Sequence, residues 1–123
     1  MILPIVAYGD PVLKKKAAPI EKNHPNLKKL ISDMWETMYA AQGVGLAAPQ
    51  IGESIRLFIV DGSPFANDKS IDNIEQRELR IFKKVFINPE ILSFSGPQEA
   101  FNEGCLSIPD IREDVTRLTT IKI

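Results

Sequence analysis

Hydrophobic positions between residues 25 and 41 recur at helical spacing. Apolar side chains three and four positions apart would share one face of a helix, at Leu27, Leu30, Ile31, Met34, Trp35 and Met38. The pattern predicts one amphipathic helix from Pro25 to about Ala41, with Asn23 or His24 as its cap and Pro25 in its first turn. Gly43 lies where a left-handed residue would end the helix.

Elsewhere the apolar residues form short runs that are typical of strands. We expect strands at 56–61, 81–87, 90–94, around 98–101, and in the terminal segment 116–123. The segment 62–78 is polar, has no sustained period, and predicts a mobile surface loop. Strands outnumber helices, so the predicted fold class is α+β. We expect a mostly antiparallel β-sheet packed around the one N-terminal helix, in a single domain of residues 1–123.

Charge and composition exclude several classes of partner. The 15 basic and 16 acidic residues leave a formal net charge of -1, which provides no field that would draw the chain to DNA or to an anionic membrane. No apolar stretch reaches the roughly 18 to 20 residues that a membrane span needs. The single Cys105 cannot form an internal disulfide. We therefore expect a cytoplasmic protein with no DNA or membrane partner.

The last predicted strand ends on an apolar residue, Ile123. Native termini are more often polar and frayed. This pattern indicates a chain that is incomplete at its C-terminus.

Residues 43–52, with the sequence GVGLAAPQIG, form the most unusual segment. Six of the ten residues are Gly, Ala or Pro, and only Gln50 has a polar side chain. Small residues let another chain approach the backbone, so an extended peptide could bond to main-chain groups here, with Gln50 as donor and acceptor. The alternative is a tight turn into the following strand, with Gln50 as a surface amide.

A second segment, residues 103–107 (EGCLS), places a thiol directly after a glycine. Cys105 could be a nucleophile, a soft metal ligand or a buried structural cysteine. His24 is the only histidine and is expected to be solvated or to cap the helix. A catalytic zinc or iron site usually needs three protein ligands, so Cys105 cannot hold such a metal without further ligands.

Together, GVGLAAPQIG and EGCLS resemble the first two of the three signature motifs of bacterial-type peptide deformylases. The opening IVAYGDPVLKKKAAPI is similar to the N-terminal segment of that family. The resemblance implies a metal-dependent hydrolase that removes the N-formyl group from the N-terminal methionine of newly synthesised proteins. Cys105 would be one metal ligand, with Fe²⁺ as the usual metal and zinc, nickel or cobalt as alternatives.

The resemblance also implies what the chain lacks. The other two ligands of the family come from an H-E-x-x-H motif on a later helix, and no such motif occurs in these residues. We therefore expect that the metal-binding helix is missing and that the 123-residue chain alone is inactive. An exposed apolar groove is expected beside Cys105.

Individual roles follow from the same resemblance. The Gln50 side chain and the Leu106 main-chain N–H would donate to the formyl oxygen as it becomes an oxyanion. Main-chain groups of Val44 and Gly45 would hold the substrate as an added strand. A Glu103–Arg117 ion pair would brace the Cys105 loop. The other residues expected at the peptide site are Gly43, Leu46, Glu103, Gly104 and Arg112.

The implied partners are N-formyl-methionyl peptides, including nascent chains at the ribosome. Two other hypotheses stay open at this point. The chain could be a non-catalytic remnant that binds short peptides along Val44 and Gly45. It could also be a thiol enzyme in which His24 activates Cys105, which requires the two side chains to lie within hydrogen-bond reach.

Overall fold

A computed structural model describes residues 1–123. The helices are α1 (Leu27–Ala40) and α2 (Asn73–Ile81), and the strands are β1 (Gly45–Ala47), β2 (Leu57–Asp61), β3 (Lys83–Ile87), β4 (Ser93–Cys105) and β5 (Ile108–Lys122). The first three strands form one antiparallel sheet in the order β1-β2-β3, and β4 pairs with β5 as a separate antiparallel hairpin. This confirms the predicted α+β class. Neither helix has the length and apolar character that a membrane crossing requires.

The amphipathic helix is confirmed, but its ends differ from the prediction. Asn26, in a left-handed conformation and without a side-chain cap bond, precedes the first helical residue. At the other end Gln42, not Gly43, adopts the positive φ of 58°. Gly43 N–H donates to Met38 O at 2.9 Å and Gln42 N–H to Tyr39 O at 3.0 Å, which is the Schellman pattern. The left-handed end of the helix therefore does not explain why residue 43 is a glycine.

The core lies between α1 and the three-stranded sheet. Met34 and Met38 of α1 are fully buried against alternate residues of β2, Leu57 and Ile59. Because the side chains of a strand alternate between its faces, this spacing gives β2 one fully buried face. Truncating a methionine in such a core typically costs about 2 to 5 kcal/mol.

A tyrosine–carboxylate pair closes the end of this core. Asp61, at the end of β2, is only 8% exposed and accepts a hydrogen bond of 2.6 Å from the Tyr39 hydroxyl. Burial, together with the carboxylate partner, raises the pKa of Tyr39 to about 12. The same hydrogen bond lowers the pKa of Asp61, which keeps the carboxylate ionised.

The predicted surface loop at 62–78 is wrong in its second half. The Asp72 side chain accepts a bond of 2.8 Å from Glu75 N–H and caps α2. An Asp followed three residues later by Glu is a start signal that the sequence contained. The helix escaped prediction because it has no wide apolar stripe. Its partly buried Leu79 packs over Gly62, where a Cβ would lie 3.1 Å from the leucine Cδ2.

Of the two strands expected at 90–94 and 98–101, residues 93–94 and 98–101 belong to one long strand, β4, and residues 90–92 precede it. A register shift between Ser95 and Gln98 marks a bulge in it. Gly96 makes this bulge with φ of 82°, and a Cβ there would lie 2.4 Å from Thr119 Oγ1. The hairpin of β4 and β5 is exposed along most of its length, and its turn carries Cys105, Leu106 and Ser107 to the three-stranded sheet.

Candidate active site

The two unusual segments of the sequence meet in space. Gln50 Nε2 lies 3.6 Å from Cys105 Sγ and 3.3 Å from Ser107 Oγ, although 55 or more residues separate them along the chain. Gln50 is the third residue of a short 3-10 turn, Ala48–Ile51, that follows β1 directly. The segment is therefore both a strand and a turn, and Gln50 is half-buried instead of a free surface amide.

The orientation of the Gln50 amide is determined by its neighbours. Ala47 N–H donates to Gln50 Oε1 at 2.9 Å. A backbone N–H can only face an acceptor, so the carbonyl end of the amide points to β1 and the NH₂ end points to Cys105 and Ser107. The site therefore presents Gln50 to its surroundings as a hydrogen-bond donor.

The extended N-terminal segment holds both halves of the site. Val6 N–H donates to Gln50 O at 2.8 Å, and Tyr8 N–H donates to Ser107 O at 2.9 Å. These contacts were not predicted, since nothing in a Pro-punctuated opening shows which main-chain carbonyls it will meet. They fix the spacing between the turn that carries Gln50 and the hairpin end that carries Cys105.

Leu106 stands at the turn between β4 and β5. Its N–H makes no hydrogen bond within the chain, and its side chain packs against the core beneath Gly43. A Cβ on Gly43 would lie 2.7 Å from Leu106 Cδ1. In this structure the small size of Gly43 makes room for the Leu106 side chain, and its expected place at the peptide site stays a prediction.

β1 has an outer edge with no partner strand in the sheet. Of the two residues predicted to hold a peptide there, Val44 already uses its carbonyl to accept Asp61 N–H at 2.8 Å. Adjacent residues of an antiparallel strand direct their polar groups to opposite sides, so Gly45 directs its N–H and C=O outward. Leu46 was expected at the peptide site, but its side chain is 2% exposed in the core and cannot contact a ligand.

Polar side chains along the hairpin bond to one another. Arg117 donates two hydrogen bonds to Glu103, at 2.6 and 2.9 Å, and holds the pKa of that carboxyl below its usual range. The predicted ion pair is therefore present. Arg112 donates to Asn102 Oδ1 at 2.6 Å and Asn102 O at 2.9 Å, with its guanidinium over Gly104. This keeps the arginine at the hairpin surface beside the Cys105 turn.

Cys105 is exposed within residues 1–123, so these residues do not bury it as a structural cysteine. It lines a groove of about 200 Å³ with Glu103, Gly104, Ile108, Ile111 and Glu113. Ile111 is 57% exposed, so the groove expected here is present, but it is apolar only in part, because Glu103 and Glu113 also line it. Residues 1–123 bring together no group of three His, Cys, Asp or Glu side chains that could hold a metal.

The thiol-enzyme hypothesis does not fit this geometry. His24 lines a different cleft, together with Lys29 and Asp33 of α1. It makes no hydrogen bond to Cys105, so no imidazole is placed to take the thiol proton. A nucleophile needs its base within hydrogen-bond reach, and this pair lacks that contact.

Comparison with known proteins agrees with the motifs. A family model described as "Polypeptide deformylase" matches residues 2–123. The peptide deformylase of Christiangramia forsetii is 58% identical over 123 residues, covering 100% of this chain and 63% of the relative. The peptide deformylase of Flavobacterium johnsoniae is 55% identical over 123 residues, again covering 100% of this chain and 63% of the relative. The chain thus spans about 63% of the length of these curated relatives.

Solved structures show the same similarity. The crystal structure of the peptide deformylase from Thermotoga maritima has a TM-score of 0.77 and 40% identity, covering 98% of this chain and 71% of that one. A class I type b peptide deformylase from Acinetobacter baumannii, crystallised with Met-Ala-Ser, has a TM-score of 0.80 and 35% identity. It covers 98% of this chain and 74% of that one. Both sequence and fold therefore match one family across almost the whole chain.

Proposed function

The chain belongs to the polypeptide deformylase family, and from this premise we propose that it supplies the peptide-binding and oxyanion-binding parts of an N-formyl-methionine deformylase. The observation that carries the proposal is the meeting of two donors beside a thiol. The Gln50 NH₂ lies against Cys105 Sγ, and the next residue, Leu106, has a free N–H. Two donors that lie close to the same thiol suit a reaction in which an oxygen acquires negative charge.

The proposed reaction is hydrolysis of the formyl amide. Addition of water to the formyl carbon turns its carbonyl oxygen into an oxyanion. Gln50 Nε2–H and Leu106 N–H would donate to that oxygen more strongly than to the neutral carbonyl, which lowers the barrier. Removal of one such donor typically costs about 2.7 to 4 kcal/mol of transition-state stabilisation.

The free edge of β1 would hold the substrate chain. An extended peptide adds to a sheet edge through main-chain bonds, and Gly45 presents both a donor and an acceptor there. Gly45 also offers no side chain that would keep the peptide away. The exposed Ile111 and the half-buried Ile108, in the groove beside Cys105, would contact the methionine side chain.

The family is metal-dependent, and the exposed thiol of Cys105 fits the role of a soft ligand. We propose Fe²⁺, with zinc, nickel or cobalt as alternatives. A bound divalent metal lowers the pKa of water and polarises a carbonyl. Because residues 1–123 provide no three-ligand group, turnover requires ligands beyond Cys105, and the chain alone is expected not to deformylate.

The substrate class also indicates where the protein would act. Formyl-methionine begins new chains, so we propose a cytoplasmic enzyme that meets them as they leave the ribosome. The net charge of -1 is consistent with this location, because it would not attract the chain to DNA or to an anionic membrane.

Substitution of Gln50 tests the proposal. Formate release from formyl-Met-Ala-Ser would be followed with a metal-loaded protein that contains this chain. Gln50→Ala should lower kcat by about 10²- to 10³-fold, with a smaller change in KM, because the lost bond forms fully only in the transition state. Gln98→Ala is the matched control, since Gln98 is exposed on β4 away from the site.

The outcomes separate the alternatives. Full activity in Gln50→Ala would exclude Gln50 as an oxyanion donor. Saturable binding of formyl-methionyl peptides without any formate release, in a protein with a complete set of metal ligands, would favour a peptide-binding role instead.

A further inference from the structure

We infer that Ser107 is a positioning residue, whose hydroxyl orients the Gln50 amide and so aims one of its N–H groups at the space beside Cys105. The assignment extends the role proposed above for Gln50. It starts from the contact of 3.3 Å between Gln50 Nε2 and Ser107 Oγ.

The direction of this hydrogen bond follows from the far end of the same amide. Gln50 Oε1 is taken by Ala47 N–H, so the atom facing Ser107 is a nitrogen. An amide NH₂ only donates, so the Ser107 oxygen must accept. The side chain of Gln50 is thus held at both ends, by a main-chain donor on one side and a hydroxyl acceptor on the other.

This arrangement determines what the second N–H of Gln50 can do. The NH₂ group is planar, so once one hydrogen points to Ser107 Oγ the direction of the other is set. The second neighbour of Nε2 is Cys105 Sγ at 3.6 Å, so this hydrogen is directed to the thiol side. An N–H with a fixed direction can stabilise a developing charge without first reorganising.

Ser107 is well placed for such a role because it is itself immobilised. It is 4% exposed, which leaves little room for water to compete for Nε2. Tyr8 N–H holds its carbonyl at 2.9 Å, and Val6 N–H holds the carbonyl of Gln50 at 2.8 Å. One N-terminal segment therefore sets the distance between the serine and the glutamine.

Nuclear magnetic resonance of the metal-free chain tests the contact directly. The Gln50 side-chain NH₂ signals are identified by their loss in Gln50→Ala. The unaltered chain should show a nuclear Overhauser effect between them and the Ser107 β-hydrogens. One of the two hydrogens should also exchange more slowly with solvent than the other. In Ser107→Ala the protected hydrogen should exchange about fivefold faster, the factor expected for one hydrogen bond of ordinary net strength.

Two results would overturn the inference. The first is the absence of both the Overhauser effect and the protection in the unaltered chain, a measurement that needs no variant to fold. The second is an unchanged Gln50 signal in a Ser107→Ala chain whose backbone spectrum is otherwise native.

A kinetic cycle in the metal-loaded protein then separates positioning from simple packing. Ser107→Ala should lower kcat about five- to tenfold with KM nearly unchanged, but less than twofold when Gln50 is already alanine. Equal losses in both backgrounds would show that Ser107 acts through the fold and not through Gln50. If Gln50→Ala alone keeps full activity, the proposed role of Gln50 fails, while the contact itself is judged separately by the magnetic resonance data.

Discussion

Replacement of Gly43 by alanine should disturb the proposed oxyanion site while leaving Gln50, Cys105 and Leu106 themselves unchanged. The added Cβ would lie 2.7 Å from Leu106 Cδ1, 3.3 Å from Cγ and 3.4 Å from Cδ2. Carbon atoms prefer separations of about 3.5 to 4.0 Å, so the leucine must move by about 1 Å at its nearest atom. Overpacking of this kind typically costs about 1 to 3 kcal/mol.

The leucine cannot yield freely, because its side chain also packs against the core. We therefore expect the Leu106 turn to shift and the variant to lose about 1 to 2 kcal/mol of folding free energy. A displaced N–H donates poorly, so kcat for formate release should also fall at least about tenfold, towards the loss expected for a missing donor.

Urea unfolding and formate release measure the two effects. Gly45→Ala is the matched control for stability, since a Cβ there meets Ile59 O at an ordinary 3.5 Å. The free energy of unfolding of Gly45→Ala should differ from that of the parent chain by less than about 0.5 kcal/mol. In a Leu106→Ala background the clashing atoms are absent, so Gly43→Ala should then cost less than about 0.5 kcal/mol. Equal stability of Gly43→Ala and the parent chain, or simple additivity with Leu106→Ala, would refute the reasoning.

Two further predictions concern the fold. Tyr39→Phe should cost about 1 to 3 kcal/mol in urea unfolding by removing a partner of the buried Asp61 carboxylate. In the parent chain the raised Tyr39 pKa means that its stabilisation is complete below pH 10 and is lost as pH rises towards about 12. An equally steep alkaline loss of stability in Tyr39→Phe would contradict this assignment. Asn88→Ala should also cost about 1 to 3 kcal/mol, because Asn88 Oδ1 and Nδ2 bond both main-chain groups of Ile20. Asn88→Asp keeps the acceptor for Ile20 N–H but sets a carboxylate oxygen against Ile20 O, so it should also lose stability. A urea midpoint in Asn88→Ala equal to that of the parent chain would count against this account.

Elements with a strong repeating pattern could be predicted from the sequence. The three- and four-residue spacing of apolar side chains was sufficient for α1, and the short apolar run of β2 was sufficient for its strand. α2 was missed because a short exposed helix needs only a cap and a few packed side chains, not a wide apolar stripe. The single strand β4 was divided in two, since the bulge at Gly96 looks like a break in a linear pattern.

The residues of the candidate site could be nominated from two short motifs, and the Glu103–Arg117 pair was predicted with them. The sequence did not show the partner of Val44 C=O or the burial of Leu46, because both depend on the register of β1 against β2. A shift of one residue would exchange the inward and outward groups of the whole strand.

The sequence by itself determined the chemistry available here: one thiol, one amide in a segment of small residues, and a single histidine without a ligand pattern around it. Only the tertiary structure decided which groups meet. The contacts of Gln50 with Cys105 and Ser107, and the support of both by residues 6–8, join segments far apart in the chain. The physical reason is that residue type sets what a group can donate or accept, whereas the direction of a hydrogen bond depends on packing that no local pattern encodes.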